Sequence, residues 1–162
     1  MTPARAAPKA SRPEPSDPAR LGPVLEFMRA LWALDHALQS ASKRMEARSG
    51  VTGPQRLVIR IVGRHPGLSA GEVSDILHLH PSTLTGILKR LVLRGLLVRR
   101  ADPADARRAL LELSPRGRRV DALRAGTVET AVHRTLGRLS SRSVEAARTV
   151  AEELADELGR LD

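Results

Sequence analysis

Residues 96–117 read Leu96-Leu97-Val98-Arg99-Arg100-Ala101-Asp102-Pro103-Ala104-Asp105-Ala106-Arg107-Arg108-Ala109-Leu110-Leu111-Glu112-Leu113-Ser114-Pro115-Arg116-Gly117. Leu111 and Leu113 alternate against Glu112, the period of a half-buried strand, and Leu96 to Arg100 supplies a second run of the same length class. Asp102-Pro103-Ala104-Asp105 between them is dense in turn formers, each with its own reason to bend the chain. The stretch therefore reads as a β-hairpin. Ser114-Pro115 then opens a helix, with Ser as cap and Pro in the first turn, where its missing N–H costs nothing.

Upstream, Gly95 closes a helix that begins at Pro81, and Leu84, Ile87, Leu88 and Leu91 form its buried stripe. Before it, Ser69-Ala70-Gly71-Glu72 is a capping box, followed by Val73, Ile76 and Leu77 as inward positions. A tight turn at Leu79-His80 joins the two short helices into a helix-turn-helix. From Leu21 to Arg48, apolar residues including Val24, Leu25, Phe27, Met28, Leu31, Trp32 and Leu38 cover more than one side of a long helix. One side serves its own domain and the other faces a partner chain. Gly53-Pro54 starts a shorter helix with Leu57, Val58, Ile61 and Val62 inward, stopping between Gly63 and Gly67. The helical region after Ser114 breaks near Ser140-Ser141. The last helix carries Val144, Ala147, Ala151, Leu154, Leu158 and Leu161 on one stripe and five carboxylates on the other side. Residues 1–20 hold five of the eleven prolines and no apolar period, as expected of a disordered Pro/Ala/Arg-rich tail.

The chain has 162 residues, room for one domain with a tail. It has no cysteine, which removes disulfides, thiolate metal sites and thiol redox sensing. Phe27 and Trp32 are its only aromatics, too few for readers that stack single-stranded bases. Arg60, Arg64, Arg94 and Arg99 interrupt every apolar run that approaches membrane length. The net charge is +9, and its placement is more telling than its size. Residues 50–113 hold ten basic and five acidic side chains, while residues 141–162 hold three and six. No acidic residue occurs between His78 and Ala101.

Asp102, Asp105, Arg107, Leu113, Ser114 and Gly117 fall on the pattern Asp-x-x-Asp-x-Arg, alternating apolar residues, then Leu-Thr/Ser-x-x-Gly. Together with Pro81-Ser82-Thr83-Leu84-Thr85, Arg90-Leu91 and Gly95-Leu96, this resembles the MarR family of bacterial winged-helix regulators over residues 21–160. The resemblance implies a mainly α fold with a small β-wing: a winged helix-turn-helix flanked by N- and C-terminal dimerisation helices. It divides the chain into the tail 1–20 and a single domain 21–162, comprising a dimerisation helix (21–50), the winged helix-turn-helix (51–113) and C-terminal helices (114–162). It implies a homodimer on palindromic double-stranded DNA, usually a repressor, often released by a small aromatic or organic-acid effector; the absence of cysteines and of any signal or membrane span points to the cytoplasm.

In such a docking, the second helix of the pair lies in the major groove, and its outward residues are Ser82, Thr83, Thr85, Lys89 and Arg90. Gly86 stands where the family commonly carries Arg or another polar side chain. The resemblance makes Arg107 the arginine of the wing, entering the minor groove, with Asp105 orienting it and Arg108 adding charge beside it. Ala106 occupies a position that is often basic. Ser69, Arg56 and Arg116 are phosphate-contact candidates, as are the neighbouring Arg60, Arg64, Arg118 and Arg119. An effector pocket would draw on Trp32, His36, Arg60 and His65.

Among the five histidines only His78 and His80 are close together, with no carboxylate cluster to complete a metal set, so no metal or cofactor is expected. No Gly-rich phosphate loop, nucleophile elbow or zinc-protease motif occurs, and the chain does not read as an enzyme. The alternatives to a sequence-specific regulator are a winged-helix protein-interaction module and a sequence-neutral architectural DNA-binding protein.

Overall fold

The computed structural model describes residues 21–105 and 107–161. The expected tail 1–20, Ala106 and Asp162 lie outside the described residues. The chain divides into two compact units, Met1–His36 and Ala37–Asp162. The elements in order are α1 (Gly22–Ser49), α2 (Gly53–Arg64), β1 (Leu68–Ser69), α3 (Ala70–Leu77), α4 (Pro81–Leu93), β2 (Leu97–Ala101), β3 (Ala109–Leu113), α5 (Pro115–Ala122), α6 (Val128–Leu136) and α7 (Ser141–Leu158).

The described part of the first unit is the leading half of α1. Its apolar side chains stand in solvent: Val24 is 70% exposed, Phe27 47% and Trp32 63%. Along the whole helix Met45 is the one buried residue. Among the described residues the helix is not buried on two faces; the expectation that one face meets a partner chain concerns a second copy and stays an expectation.

In the second unit, the helix-turn-helix and hairpin form where the periodicities place them. Leu84, Ile87, Leu88 and Leu91 of α4 pack with Leu97 of β2 and Leu111 and Leu113 of β3, all within one core cluster. Both members of the Ser69 capping box are present. A second box, Thr52 with Gln55, opens α2 and went unread in the sequence. The hairpin runs antiparallel from Leu97 opposite Leu113 to Ala101 opposite Ala109. A short third strand, β1, joins its other edge through Leu68 opposite Leu111, giving the order β1-β3-β2. Two residues are too few to show a period, which is why β1 is invisible in the sequence.

Three sequence expectations are corrected here. On α2 the buried residues are Gln55, Arg56, Val58, Ile59 and Val62, whereas Leu57 is 46% exposed. This helix packs against α3, α4, α5 and β3, so its buried surface is wider than a single stripe. On α3, Ile76 is 45% exposed and Ser74 is buried instead, its hydroxyl donating to the Leu79 carbonyl at 2.6 Å to hold the turn. The region after Ser114 breaks twice rather than once, since α5 ends at Ala122 and Thr127 caps α6. No residue of α6 or α7 is buried, so the expected stripe on the last helix is open in this chain.

Gly117 lies where α5 crosses the start of the hairpin. A Cβ there would sit 2.0 Å from the Leu96 carbonyl oxygen, a backbone atom that cannot swing away. Gly86 is the opposite case, a helical glycine whose Cβ would meet nothing closer than the Arg90 guanidinium at 3.8 Å. Gly117→Ala is therefore expected to destabilise the protein by about 1–3 kcal/mol or more through overpacking. Gly86→Ala should stabilise it by about 0.5–1 kcal/mol by lowering the entropy of the unfolded chain. Urea midpoints of the two variants check both signs.

Candidate nucleic-acid interface

The rod of the candidate reader is α4. His80 caps it by accepting from the Ser82 amide, and Pro81 occupies its first turn. With its leucines and Ile87 turned into the core, Ser82, Thr83, Thr85, Lys89 and Arg90 are all exposed on the outward side. Thr85 spends its hydroxyl hydrogen on the Pro81 carbonyl at 2.8 Å, which leaves its methyl group and its oxygen lone pairs for a partner. Arg90 Nε–H donates to the Gly86 carbonyl at 3.2 Å, laying its stem along the helix while the rest of the guanidinium points outward. Gly86 has no side chain to offer at this surface.

The wing is built by its own carboxylates. Asp102 Oδ1 accepts from the Ala104 amide at 2.9 Å, and Asp105 Oδ1 accepts from the Arg107 amide at 3.0 Å. These are Asx-type turns, in which a short acid folds the backbone over itself. Asp105 Oδ1 also accepts from Arg107 Nε at 3.4 Å, while the Arg107 side chain remains 94% exposed. Arg108 points the other way, towards Glu72 Oε2 at 3.3 Å and Asp102 Oδ2 at 3.9 Å, and ties the wing to the start of α3. The two arginines thus differ: Arg107 is held and presented, and Arg108 is partly consumed in bracing the loop.

Ser69 does not have the role expected of it. Its hydroxyl and its amide both donate to Glu72 Oε2, at 2.6 and 2.8 Å, so no Ser69 donor is left for a phosphate. The Ser69 hydroxyl, then the Ser69 amide, hold the Glu72 carboxyl below its usual range; burial works against them, and Arg108 adds the smallest lowering effect. Arg99, on β2, was not among the expected contacts. It is exposed, has no ion-pair partner among the described residues, and lines with Arg108, Ser69 and Gly71 a concavity of about 300 Å³. Arg100, its neighbour, turns to Glu112 at 3.1 Å.

The larger correction concerns Arg56. The expected phosphate contact is 2% exposed, and its guanidinium is spent inside the fold. Nε–H donates to Glu129 Oε1 at 2.8 Å, Nη1 donates to the Val120 carbonyl, and Nη2 donates to the carbonyls of Asp121 and Leu123 at 3.3 and 2.7 Å. Breaking such a buried pair leaves an uncompensated charge, at a cost of about 3–5 kcal/mol. Burial pushes the Glu129 carboxyl up, but hydrogen bonds from its own backbone N–H and from Arg56 outweigh that and hold it below the usual carboxylate range.

Arg60, expected near an effector, pairs with Asp121 Oδ1 at 2.8 Å. His65 is exposed beyond the end of α2, and Trp32 and His36 are exposed on the first unit. Arg116 is exposed and donates one bond to the Arg94 carbonyl at 3.2 Å, which leaves the rest of its fork open. No group of three or more metal-ligating side chains occurs among the described residues.

Comparison with known proteins gives the same architecture. Residues 49–108 match the MarR family. The chain is 32% identical to the HTH-type transcriptional regulator TtmR of Methylorubrum extorquens over 139 residues, covering 86% of this chain and 68% of the relative. In fold it is similar to MepR of S. aureus, solved as a DNA complex, with a TM-score of 0.66 at 16% identity over 82% of this chain and 97% of the other. It is also similar to the transcriptional regulator PcaV of Streptomyces coelicolor, solved with its natural ligand, with a TM-score of 0.59 at 26% identity over 82% and 89% of the two chains. The hairpin braced by Asp102 and Asp105, beside a rod whose outward face is hydroxylic and cationic, carries the same conclusion as these likenesses: the chain belongs to the MarR family of winged-helix, DNA-binding transcriptional regulators.

Proposed function

We propose that the protein acts as a homodimeric repressor in the cytoplasm, reading a palindromic double-stranded site with one α4 and one wing per half-site. The observation that carries this reading is the pairing of a cationic and hydroxylic α4 face, free of acidic residues, with Arg107, an exposed arginine on a self-braced wing. On DNA, Ser82, Thr83, Thr85, Lys89 and Arg90 meet base edges and phosphates in the major groove. Arg107 enters the minor groove with Asp105 behind it, and Arg108, Arg116 and Arg99 lie within the range of phosphates.

A second copy is the occupant we assign to the open apolar surfaces. Val24, Phe27 and Trp32 on α1, and Val150 and Leu158 on α7, are each exposed, and scattered singly they would be unremarkable. Recurring along helices, they leave contiguous apolar area of the kind that marks an interface. The 21–162 segment then functions as one domain whose end helices pair. No helix among the described residues is long and apolar enough to cross a membrane. Release by a small aromatic or organic acid rests on the family and on the ligand-bound PcaV structure. The relatives compared are regulators rather than enzymes.

Selection from a random duplex library, followed by competition against shuffled DNA, tests the reading. A palindrome with half-sites about 34–36 Å apart is expected. Equal affinity for shuffled duplex would indicate the architectural protein, and absence of any binding the interaction module. With six to ten phosphates neutralised per dimer, affinity should fall about 10³–10⁵-fold between 50 and 200 mM salt. Arg107→Ala should weaken operator binding at least about tenfold, the scale of one lost base contact, with the melting temperature unchanged. Unaltered operator affinity in that folded variant would remove the wing from the interface.

A further inference from the structure

We infer that Arg56 is a positioning residue for DNA recognition: from the buried side of α2 it locks the bend between α5 and α6, and so sets where the reader sits relative to the C-terminal helices. The inference rests on the dimeric reading above, in which those helices pair and the spacing of two readers matters.

The bend is the chain's exit from the reader. Helix α5 ends at Ala122 with Leu123 as cap, Gly126 takes φ +72°, and Thr127 caps α6. No residue of α6 or α7 belongs to the buried core, so packing into that core does not set the angle of exit. The bend bonds to itself through Arg124, which donates to the Asp121 and Leu123 carbonyls, and through the Thr127 and Thr130 hydroxyls, which donate to the Arg124 carbonyl; what ties it to the reader is α2. Arg56 gathers three carbonyls from the end of α5 (Val120, Asp121 and Leu123) and the Glu129 carboxylate from the first turn of α6. Each half of that arrangement suits the helix end it touches. A cation lies against the carbonyl-rich C-terminus of α5, and an anion lies in the first turn of α6, where the dipole is positive. Arg60, one turn along α2, repeats the device with Asp121 at 2.8 Å and approaches Glu129 at 3.8 Å. The described ion pairs between α2 and α6 both end on Glu129.

Because α2 also packs on α3, α4 and β3, it is shared by the reader and the bend. A single planar fork with four of its donors engaged fixes direction as well as distance, which a flexible ammonium would not do. By sequence Arg56 is an expected phosphate contact. Its burial turns it from a contact with DNA into the part that aims the contacts.

The test uses the full chain and the duplex selected by the wild type, together with versions of that duplex whose central spacer is lengthened or shortened by one and two base pairs. The chain has no cysteine, so Leu93→Cys, at an exposed position closing α4, carries one spin label per protomer and reports the distance between readers. The wild-type background should give a narrow distance distribution and a preference for its own spacer of roughly 100-fold or more, within the range of specific over non-specific binding. Arg56→Met, similar in length but without donors, should broaden the distribution and reduce the spacer preference to below about tenfold, while binding to shuffled duplex stays unchanged. Glu129→Ala should act in the same direction, and Glu129→Gln, which keeps an accepting oxygen, should retain most of the preference.

If Arg56→Met does not fold, Glu129→Ala, at a half-exposed position, decides alone. Folded variants with the wild-type distance and spacer preference would overturn the positioning role and leave the regulator reading intact. A wild type that is monomeric, or indifferent to spacer length, would overturn both.

Discussion

The structure depends on the packing of one helical stripe against one hairpin. Leu84, Ile87, Leu88 and Leu91 of α4 share a core with Leu97, Leu111 and Leu113 of the strands, and every other element of the reader is arranged around that contact. Burial of these side chains, each contributing about 1.5–3 kcal/mol by removal from water, makes rod and wing a single body. The outward residues of α4 and the arginines of the wing are then presented together. Gly117 belongs to the same contact, because only a residue without Cβ lets α5 pass 2.0 Å, measured from its ideal Cβ position, from the Leu96 oxygen.

Charge is distributed on this body by burial as much as by composition. Arg107 and Arg56 are the same residue type with opposite fates. The first lies on a two-carboxylate turn that holds its backbone and leaves its side chain 94% exposed. The second is 2% exposed and satisfied by three carbonyls and a carboxylate. An exposed guanidinium is attracted to any polyanion, and a buried one is useful only to the atoms it touches. The net charge of +9 therefore overstates the cation available to DNA, and the exposed arginines on the wing and α4 are the better measure.

Much of the reader was legible in the residues. The α4 stripe, the capping box at Ser69, the closing Gly95 and the alternation at Leu111 and Leu113 are local signals, carried by neighbours in sequence. Their agreement with the structure follows from the fact that caps and amphipathic faces act over one or two turns. Ser82, Thr83, Thr85, Lys89 and Arg90 followed automatically, as the residues left over once the stripe is assigned. The misreadings share a different cause. Leu57 and Ile76 look inward by type, yet Arg56 and Ser74 take the buried places because hydrogen bonds satisfy them, Arg56 with a distant segment of the chain and Ser74 with the Leu79 carbonyl of the following turn. The α5–α6 bend does carry a local signal, Gly126 ahead of the capping Thr127, that the expectation of a single break passed over, and β1 exists only because β3 has an edge to offer.

The amino-acid order by itself determined the reader: where the helices cap and stop, which face of α4 is apolar, and that a carboxylate-braced turn carries Arg107. Those properties are set within a few residues, so no knowledge of distant neighbours is needed. Only the tertiary structure decided which arginines are free, and that the apolar sides of α1, α6 and α7 find no cover among the described residues. Burial and hydrogen-bond partnership over 64 to 73 positions of separation, as between Arg56 and the Val120-to-Glu129 segment, are properties of the folded arrangement and leave no period in the sequence.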